Sequence, residues 1–498
     1  MCRKVIFDTP PSFIPLHKGK QKTAFLRFSF LNKQWKNMEK NNLTPERDWR
    51  ALAIYQIMVG SFVHSDKGAE GYDNMWGPEG ERKDGNLRGV ISALDHIAGL
   101  GVNAIWLTPI FDSSKADGGE KLQATGYFAN DYFSIDPHFG TEDDLRELIA
   151  KAHERGLYVL LDGVFGHHGG VEKPSPSGHT IDSTPVLSER GEDGGPGNVK
   201  YPESLEYFKE VATYWIDKFE IDGWRLDQAY QLCQDGHNYW CEISQAVREL
   251  CDRRLNEGKQ WGTLGYMVGE DWSDAAGISA RILRDGGLKS AFDFDGKQLI
   301  SGAMDGSDNG GLDNGWDDVM RIYSSPADRG YSPDDVLPNL FLSNHDGVRV
   351  GDSFYDGKNE INLMTRFAIL AGYPGPVTIY YGDEFADLSR DCDGAQPDNA
   401  SRTTGHLKAD DARERRLADY VRQAMTFRRD NPAMWRGTAQ FDRYRKDDAE
   451  ILTVIKTDPE SDNRVAMIFA DRDTEVALPG DDTLHKVRGY IPLLLRLS

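Results

Sequence analysis

Four short stretches of this 498-residue chain place acidic side chains directly after apolar runs. They are Leu160-Leu161-Asp162 with His167 just downstream, Gly223-Trp224-Arg225-Leu226-Asp227, Val268-Gly269-Glu270-Asp271, and Leu342-Ser343-Asn344-His345-Asp346 with Arg349 just beyond. Such a set of carboxylates could divide acid–base labour. Breaking a glycosidic bond needs one ionised carboxylate to attack the anomeric carbon and one protonated carboxyl to release the leaving oxygen. Neighbouring groups must push the two pKa values apart. Arg225 stands two residues before Asp227 and projects to the same face of an extended strand, where its charge would keep Asp227 ionised and aimed. Each acid alone has a plainer reading as a helix cap or loop hydrogen-bonder, and His345 alone could be a core histidine. Asp222 and Asp271 carry the same charge in the same regions and are expected to be structural. The joint occurrence on successive runs, in chain order, sets the rest apart.

The elements that must position these residues alternate. Short β-branched runs at Ile54–Val59, Ala104–Leu107, Tyr158–Asp162, Gly223–Leu226, Tyr266–Gly269, Ala291–Phe294, Leu340–Ser343 and Val377–Tyr381 are separated by helical patterns, the signature of βα units on a parallel sheet. Eight runs predict an α/β fold, a closed (β/α)8 TIM barrel, whose active-site residues lie at the C-terminal strand ends; a doubly wound sheet is the alternative. Thr141 would cap a helix with Asp143, Asp144 and Glu147 in its early turns and Gly156 at its end. Residues 203–219 repeat aliphatic and aromatic groups at helical spacing. Residues 168–203, after the third run, are crowded with Gly, Pro and Ser and form an insertion of the length that is usually functional. A last barrel helix is expected near 411–429. Short strands at Ile451–Lys456, Val465–Phe469, Glu475–Leu478 and Ile491–Leu497 then predict a small β domain. The expected division is 1–50 as an N-terminal extension, 51–167 and 204–432 as the barrel, 168–203 as the insertion and 433–498 as the C-terminal domain.

Composition excludes several classes. A net charge of -22 argues against nucleic acid or an anionic membrane surface as partner, since both need a basic footprint. No run approaches the ~20 apolar residues of a membrane span. Five cysteines in a chain this long, without a C-x-x-C pair, do not make a disulfide framework and favour a reducing compartment. The first residues mix Lys and Arg with prolines and lack a signal-peptide pattern, so a cytoplasmic location is expected, with a periplasmic or secreted one following only from a different natural N-terminus.

The same motifs resemble the conserved regions of the α-amylase family, glycoside hydrolase family 13. Asp162-Gly163-Val164-Phe165-Gly166-His167 is similar to its first region, Gly223–Asp227 to the second, Val268-Gly269-Glu270 to the third and Asn344-His345-Asp346 to the fourth. Gly372-Tyr373-Pro374-Gly375-Pro376-Val377 through Tyr381-Gly382-Asp383-Glu384, Gly126-Tyr127 to Asp131-Tyr132 and Asp136–Thr141 are similar to further family signatures. The resemblance implies a retaining mechanism. Asp227 would be the nucleophile, Glu270 the general acid/base, and Asp346 the carboxylate that binds sugar hydroxyls and favours the distorted ring. Arg225 would orient Asp227. Tyr127, Asp162, His167, His345 and Arg349 would bind or support the substrate. The insertion would be domain B and the C-terminal domain a β-sandwich.

Two departures stand out. Many relatives carry Asn before the His of the first region, where it helps bind calcium. Here that position is Gly166, which offers no side-chain oxygen, so no cofactor is expected to be required and no metal ligand is assigned; calcium elsewhere is left open. Asp227-Gln228-Ala229-Tyr230 also lacks the Lys-His pair of endo-acting relatives and the Val of α-1,6-specific ones. The resemblance implies hydrolysis of α-1,4-glucans such as maltodextrins, starch or cyclodextrins, by a monomer. Transglycosylation or sugar isomerisation (trehalose or sucrose-isomer forming) is the alternative, and a non-catalytic carbohydrate-binding protein a more distant one.

Overall fold

The computed structural model describes residues 47–186, 196–304, 315–354, 359–390, 399–479 and 483–497. The expected N-terminal extension lies outside them up to residue 46. Eight parallel strands form the framework: β1 (Ala53–Ile57), β2 (Ala104–Leu107), β3 (Tyr158–Gly163), β4 (Gly223–Leu226), β5 (Tyr266–Gly269), β6 (Ser290–Ala291), β7 (Leu340–Phe341) and β8 (Val377–Tyr380). Their order is β6-β5-β4-β3-β2-β1-β8-β7. The two ends of that order also meet. Phe292 pairs in parallel with Asn339, Asn339 N–H donates to Ala291 O at 2.8 Å, and Asp293 N–H donates to Asn339 O at 2.9 Å. The sheet therefore curls round on itself, as the eight-run rhythm predicts.

Period-two alternation splits the strand side chains between two cores. Ile54, Ala104, Trp106, Tyr158, Leu160, Tyr266, Val268, Phe292 and Phe341 fill the barrel interior. Tyr55, Ile57, Ile105, Leu107, Val159, Leu161, Trp224 and Leu226 face outward into the helix layer. Burial on both faces is why these strands read as unbroken apolar runs.

Around the sheet lie α1 (Leu87–Gly99), α2 (Glu142–Glu154), α3 (Leu205–Phe219), α4 (Trp240–Asn256), α5 (Ala275–Arg281), α6 (Phe294–Met304), α7 (Gly315–Ile322), α8 (Asn359–Ala371) and α9 (Ala412–Asp430). Thr141 and Asp144 close a reciprocal capping box at the start of α2, which satisfies two otherwise orphaned N–H groups. On α3, Phe208, Val211, Ala212, Trp215 and Phe219 form the buried stripe.

Two strands are shorter than expected. The run at 291–294 yields only Ser290–Ala291, because Asp293 Oδ1 accepts Gly296 N–H at 2.8 Å and so caps α6. The run at 340–343 stops at Phe341. After β3, His167–His168 pairs antiparallel with Gly197–Asn198, which pins both ends of the long connection beside the barrel mouth.

The C-terminal region holds β9 (Thr438–Lys446), β10 (Ala449–Thr457), β11 (Arg464–Ala470), β12 (Thr474–Ala477), β13 (Leu484–Val487) and β14 (Leu493–Leu497). β9-β10-β11-β14 form an antiparallel sheet and β12-β13 a hairpin. Ile451, Ala466 and Ile468 of the sheet share a core with Val476 and Val487 of the hairpin. The sequence pattern does not mark β9, an edge strand with no buried residue. No helix among the described residues is long and apolar enough to cross a membrane.

Candidate active site

Strand register sets the centre of the site. Arg225 on β4 is paired across the sheet with Asp162 on β3 and with Val268 on β5, two residues before Glu270. Its guanidinium therefore points inward among three carboxylates. Nη1 donates to Asp162 Oδ1 at 2.9 Å and to Asp227 Oδ1 at 2.9 Å, and Nη2 lies 2.8 Å from Glu270 Oε1. Arg225 is fully buried. One cation thus aims the two candidate reacting groups and their neighbour.

Glu270 is held by more than that ion pair. Gln228 N–H donates to its Oε2 at 3.0 Å, and the Trp272 indole N–H donates to its Oε1 at 2.9 Å. The chain turns sharply after Asp227 to make this possible: Gln228 adopts the left-handed region at φ 40°, which non-glycine residues enter only when surrounding contacts compensate.

Burial pushes Asp227 up to about 7 against the opposing pull of Arg225. Burial likewise raises Glu270 to about 7 and Asp162 to about 6. Mutual repulsion among the acids adds to each shift. With one guanidinium among three carboxylates, a proton is retained in the cluster near neutrality, as an acid–base pair requires.

On the opposite wall, Gln56 Nε2 is 2.8 Å from His345 Nδ1 and donates there. The ring proton is thereby left on Nε2, 2.6 Å from the Tyr127 hydroxyl and 3.2 Å from Asp346 Oδ2. Burial lowers His345 to about 3, so it acts as a neutral donor. Tyr127 in turn donates to Asp162 Oδ2 at 2.9 Å, and Trp106 donates to the same oxygen at 3.0 Å. Asp346 differs from the other acids. Burial works against its charged form, but His345, Arg402 and Arg225 outweigh it and hold its carboxyl below the usual range.

These groups open onto a cavity of about 450 Å³ lined by Tyr127, His167, Asp227, Glu270 and Asp346. Asp162, Arg225 and His345 sit beneath its floor. Arg349 does not join them. It is fully buried, donates to Tyr381 O at 2.6 Å and lies 3.7 Å from Asp383. The expectation that it binds substrate is corrected: it ties the chain after β7 to that after β8. Asp222 and Asp271 are engaged in structure as expected, with His153 and with Arg281.

Sequence reasoning missed Trp76, Phe128, Tyr230, Trp272, Asn399 and Arg402, which also line the cavity. Arg402 comes from a loop with no motif. Trp272, two residues past Glu270, carried a findable signal: an aromatic on the same face as the acid.

A model of the alpha-amylase catalytic domain matches residues 56–177 and 198–456. The chain belongs to the α-amylase family. It is a glycoside hydrolase of that type, as its motifs imply. A cyclomaltodextrinase of Geobacillus thermopakistaniensis is 28% identical over 88% of this chain and 72% of its own length. The intracellular maltogenic amylase of Bacillus subtilis is 37% identical over a shorter stretch, 38% of this chain and 32% of its own. Among solved structures, AmyP in complex with maltose is 32% identical with a TM-score of 0.73, covering 90% of this chain and 96% of that one.

For metals, His406, Asp410 and Glu414 bring ligand atoms within 4.8 Å of one another among the described residues. Both His406 nitrogens are already engaged, with Lys408 O at 2.8 Å and Asp387 Oδ1 at 2.9 Å, which leaves no lone pair for a cation. Near Gly166, the space a longer side chain would take is filled by Gln231.

Proposed function

We propose that the protein hydrolyses α-1,4-glucosidic bonds of maltodextrins, starch or cyclodextrins with retention of anomeric configuration. Asp227 is the nucleophile, Glu270 donates a proton to the leaving oxygen and then activates water, and Asp346 binds sugar hydroxyls beside the reacting carbon. The observation that carries this reading is the sharing of Arg225 by Asp227 and Glu270. Two carboxylates on one guanidinium favour the gap of about 5–5.5 Å used in double displacement over the roughly 6.5–9.5 Å that admits a water. The names of the relatives, cyclomaltodextrinase and maltogenic amylase, support the substrate class. Proton NMR of maltotetraose hydrolysis tests the stereochemistry: the first product resolved should be the α-anomer, and initial β-anomer would overturn the mechanism. Asp227→Asn should abolish turnover.

A second reading, transglycosylation, is favoured by Trp272 and Tyr230, which are 54% and 40% exposed on the cavity wall near Glu270. Exposed aromatic faces there would seat an acceptor sugar as well as a leaving one. Abundant products longer than maltotetraose would support it.

A further inference from the structure

Gly166 and Gln231 occupy one space. A Cβ added to Gly166 would fall on Gln231 Oε1 and lie 2.5 Å from Gln231 Cβ and 2.7 Å from its Cδ. Any larger residue at 166 therefore expels the Gln231 side chain from its present position. That position is the middle of a polar chain leading into the cavity. The Tyr230 hydroxyl donates to Gln228 Oε1 at 2.9 Å, and Gln231 Nε2 donates to the same oxygen at 3.1 Å. The amide orientation is thereby set, with Gln231 Oε1 turned toward His167 Nδ1 at 3.2 Å. The other ring nitrogen, Nε2, lies 3.9 Å from Asp227 Oδ2.

We infer that Gln231, in the room left by Gly166, is a positioning residue that fixes His167 with its proton on Nδ1 and its Nε2 lone pair facing the Asp227 carboxylate across the cavity. A hydrogen bond to one ring nitrogen selects the tautomer of the other. In this state His167 Nε2 accepts a hydroxyl from the sugar whose anomeric carbon meets Asp227. The exposed Tyr230 hydroxyl is the outer anchor, the two glutamine amides are the connectors, and Gly166 is the vacancy that admits them. This inference rests on the reading of Asp227 as nucleophile. It adds a role to a residue that neither carries charge nor touches the sugar, and it accounts for the small residue before His167.

The test compares Gln231→Leu, Gln231→Glu, Gln231→Ala, Gly166→Ala and the double variant Gly166→Ala/Gln231→Ala in the full chain, with kcat and KM measured on maltotetraose beside thermal unfolding. Gln231→Leu should lower kcat/KM roughly 10–100-fold, the scale of misplacing one positioned group, with Tm held within about 2 °C. Gln231→Glu keeps an acceptor for Nδ1–H but loses the donor to Gln228 Oε1 and adds a charge, so it should recover only part of the loss. Gly166→Ala should act like Gln231→Ala, and the double variant should be no worse than the poorer single, because both remove the same contact. Parental kcat/KM in Gln231→Leu or full additivity in the double variant would each overturn the inference. Asp227→Asn separates the two levels: residual turnover there defeats the nucleophile assignment, whatever Gln231 does.

Discussion

Arg402 Nη2 lies 2.8 Å from Asp346 Oδ1, so the loop after β8 supplies the cation facing the carboxylate after β7. The same guanidinium donates from Nε to His345 O at 3.0 Å and from Nη1 to Trp76 O at 3.4 Å. It thus fixes the backbone that carries Asp346 as well as the charge on it. Replacing Arg402 by Met removes both functions. The Asp346 carboxyl should rise from its lowered position, moving the acidic limb of kcat/KM to higher pH. The maximum rate should fall on the order of 100-fold, as for loss of one preorganised electrostatic partner. A pH–rate profile checks both, and an unmoved acidic limb would refute the assignment.

The raised carboxyls make a prediction about stability. Glu270 titrates near 4.5 in an unfolded chain and is pushed up to about 7 by burial in the folded one. Between those values the folded state binds more protons, so stability falls as pH rises through the window. Glu270's favourable contribution is present below about 4.5 and lost by about 7. Glu270→Gln removes the titration. Its Tm relative to the parent should therefore be higher at pH 8 than at pH 5, by roughly 1–4 °C. Scanning calorimetry at the two pH values decides it, and a difference of the opposite sign would rule it out.

Arg225 is the buried counter-charge for three acids, and removing one member of such a set costs about 3–5 kcal/mol. Arg225→Met should lose that much stability in denaturant titration, together with essentially all turnover. Arg225→Lys keeps the charge but has no planar fork to reach Nη1-type and Nη2-type partners at once. It should regain part of the stability and little of the activity. Equal recovery of both would mean that charge alone, rather than geometry, organises the site.

Much of this site can be read from the chain because barrel strands impose a strict rule. A residue at a strand's C-terminal end faces the mouth, and one two places earlier faces the same way, so Arg225 and Asp227 had to lie together. The strand positions and the α3 stripe were legible for the same reason, period. Arg402 and Asn399 were not, since a loop has no period to place its side chains. Arg349 misled for the converse reason. It is close to Asp346 in sequence, but beyond β7 the chain turns away, and its guanidinium runs behind the wall to Tyr381. The edge strand β9 escaped because an exposed ribbon such as Thr438–Lys446 needs no apolar alternation.

Calcium offers a simple check on the first-region departure. Gly166 supplies no side-chain oxygen, and Gln231 fills the space in front of it. Incubation with EDTA followed by desalting should leave maltotetraose hydrolysis unchanged and Tm within about 2 °C, as expected where position 166 offers no side-chain ligand for a hard cation. Loss of activity restored by added calcium would place a required ion elsewhere in the chain.

Trp272 joins two functions that a pair of substitutions can separate. Its indole N–H donates to Glu270 Oε1, and its ring is more than half exposed on the cavity wall. A donor to a carboxylate stabilises the charged form, so its removal shifts the Glu270 carboxyl further upward. The general acid must be protonated to act. The basic limb of the pH–rate profile should therefore move to higher pH in Trp272→Phe, which keeps an aromatic face and loses only the N–H. The rate at the optimum should fall about 3–10-fold, with KM little changed, because a positioned contact to the acid is lost while stacking persists. Trp272→Ala should show the same pH shift and, in addition, a KM higher by about 10-fold for maltotetraose from the lost stacking surface. If Trp272→Phe leaves the basic limb where it was, the indole serves only as a platform and the hydrogen bond to Glu270 does not tune the acid.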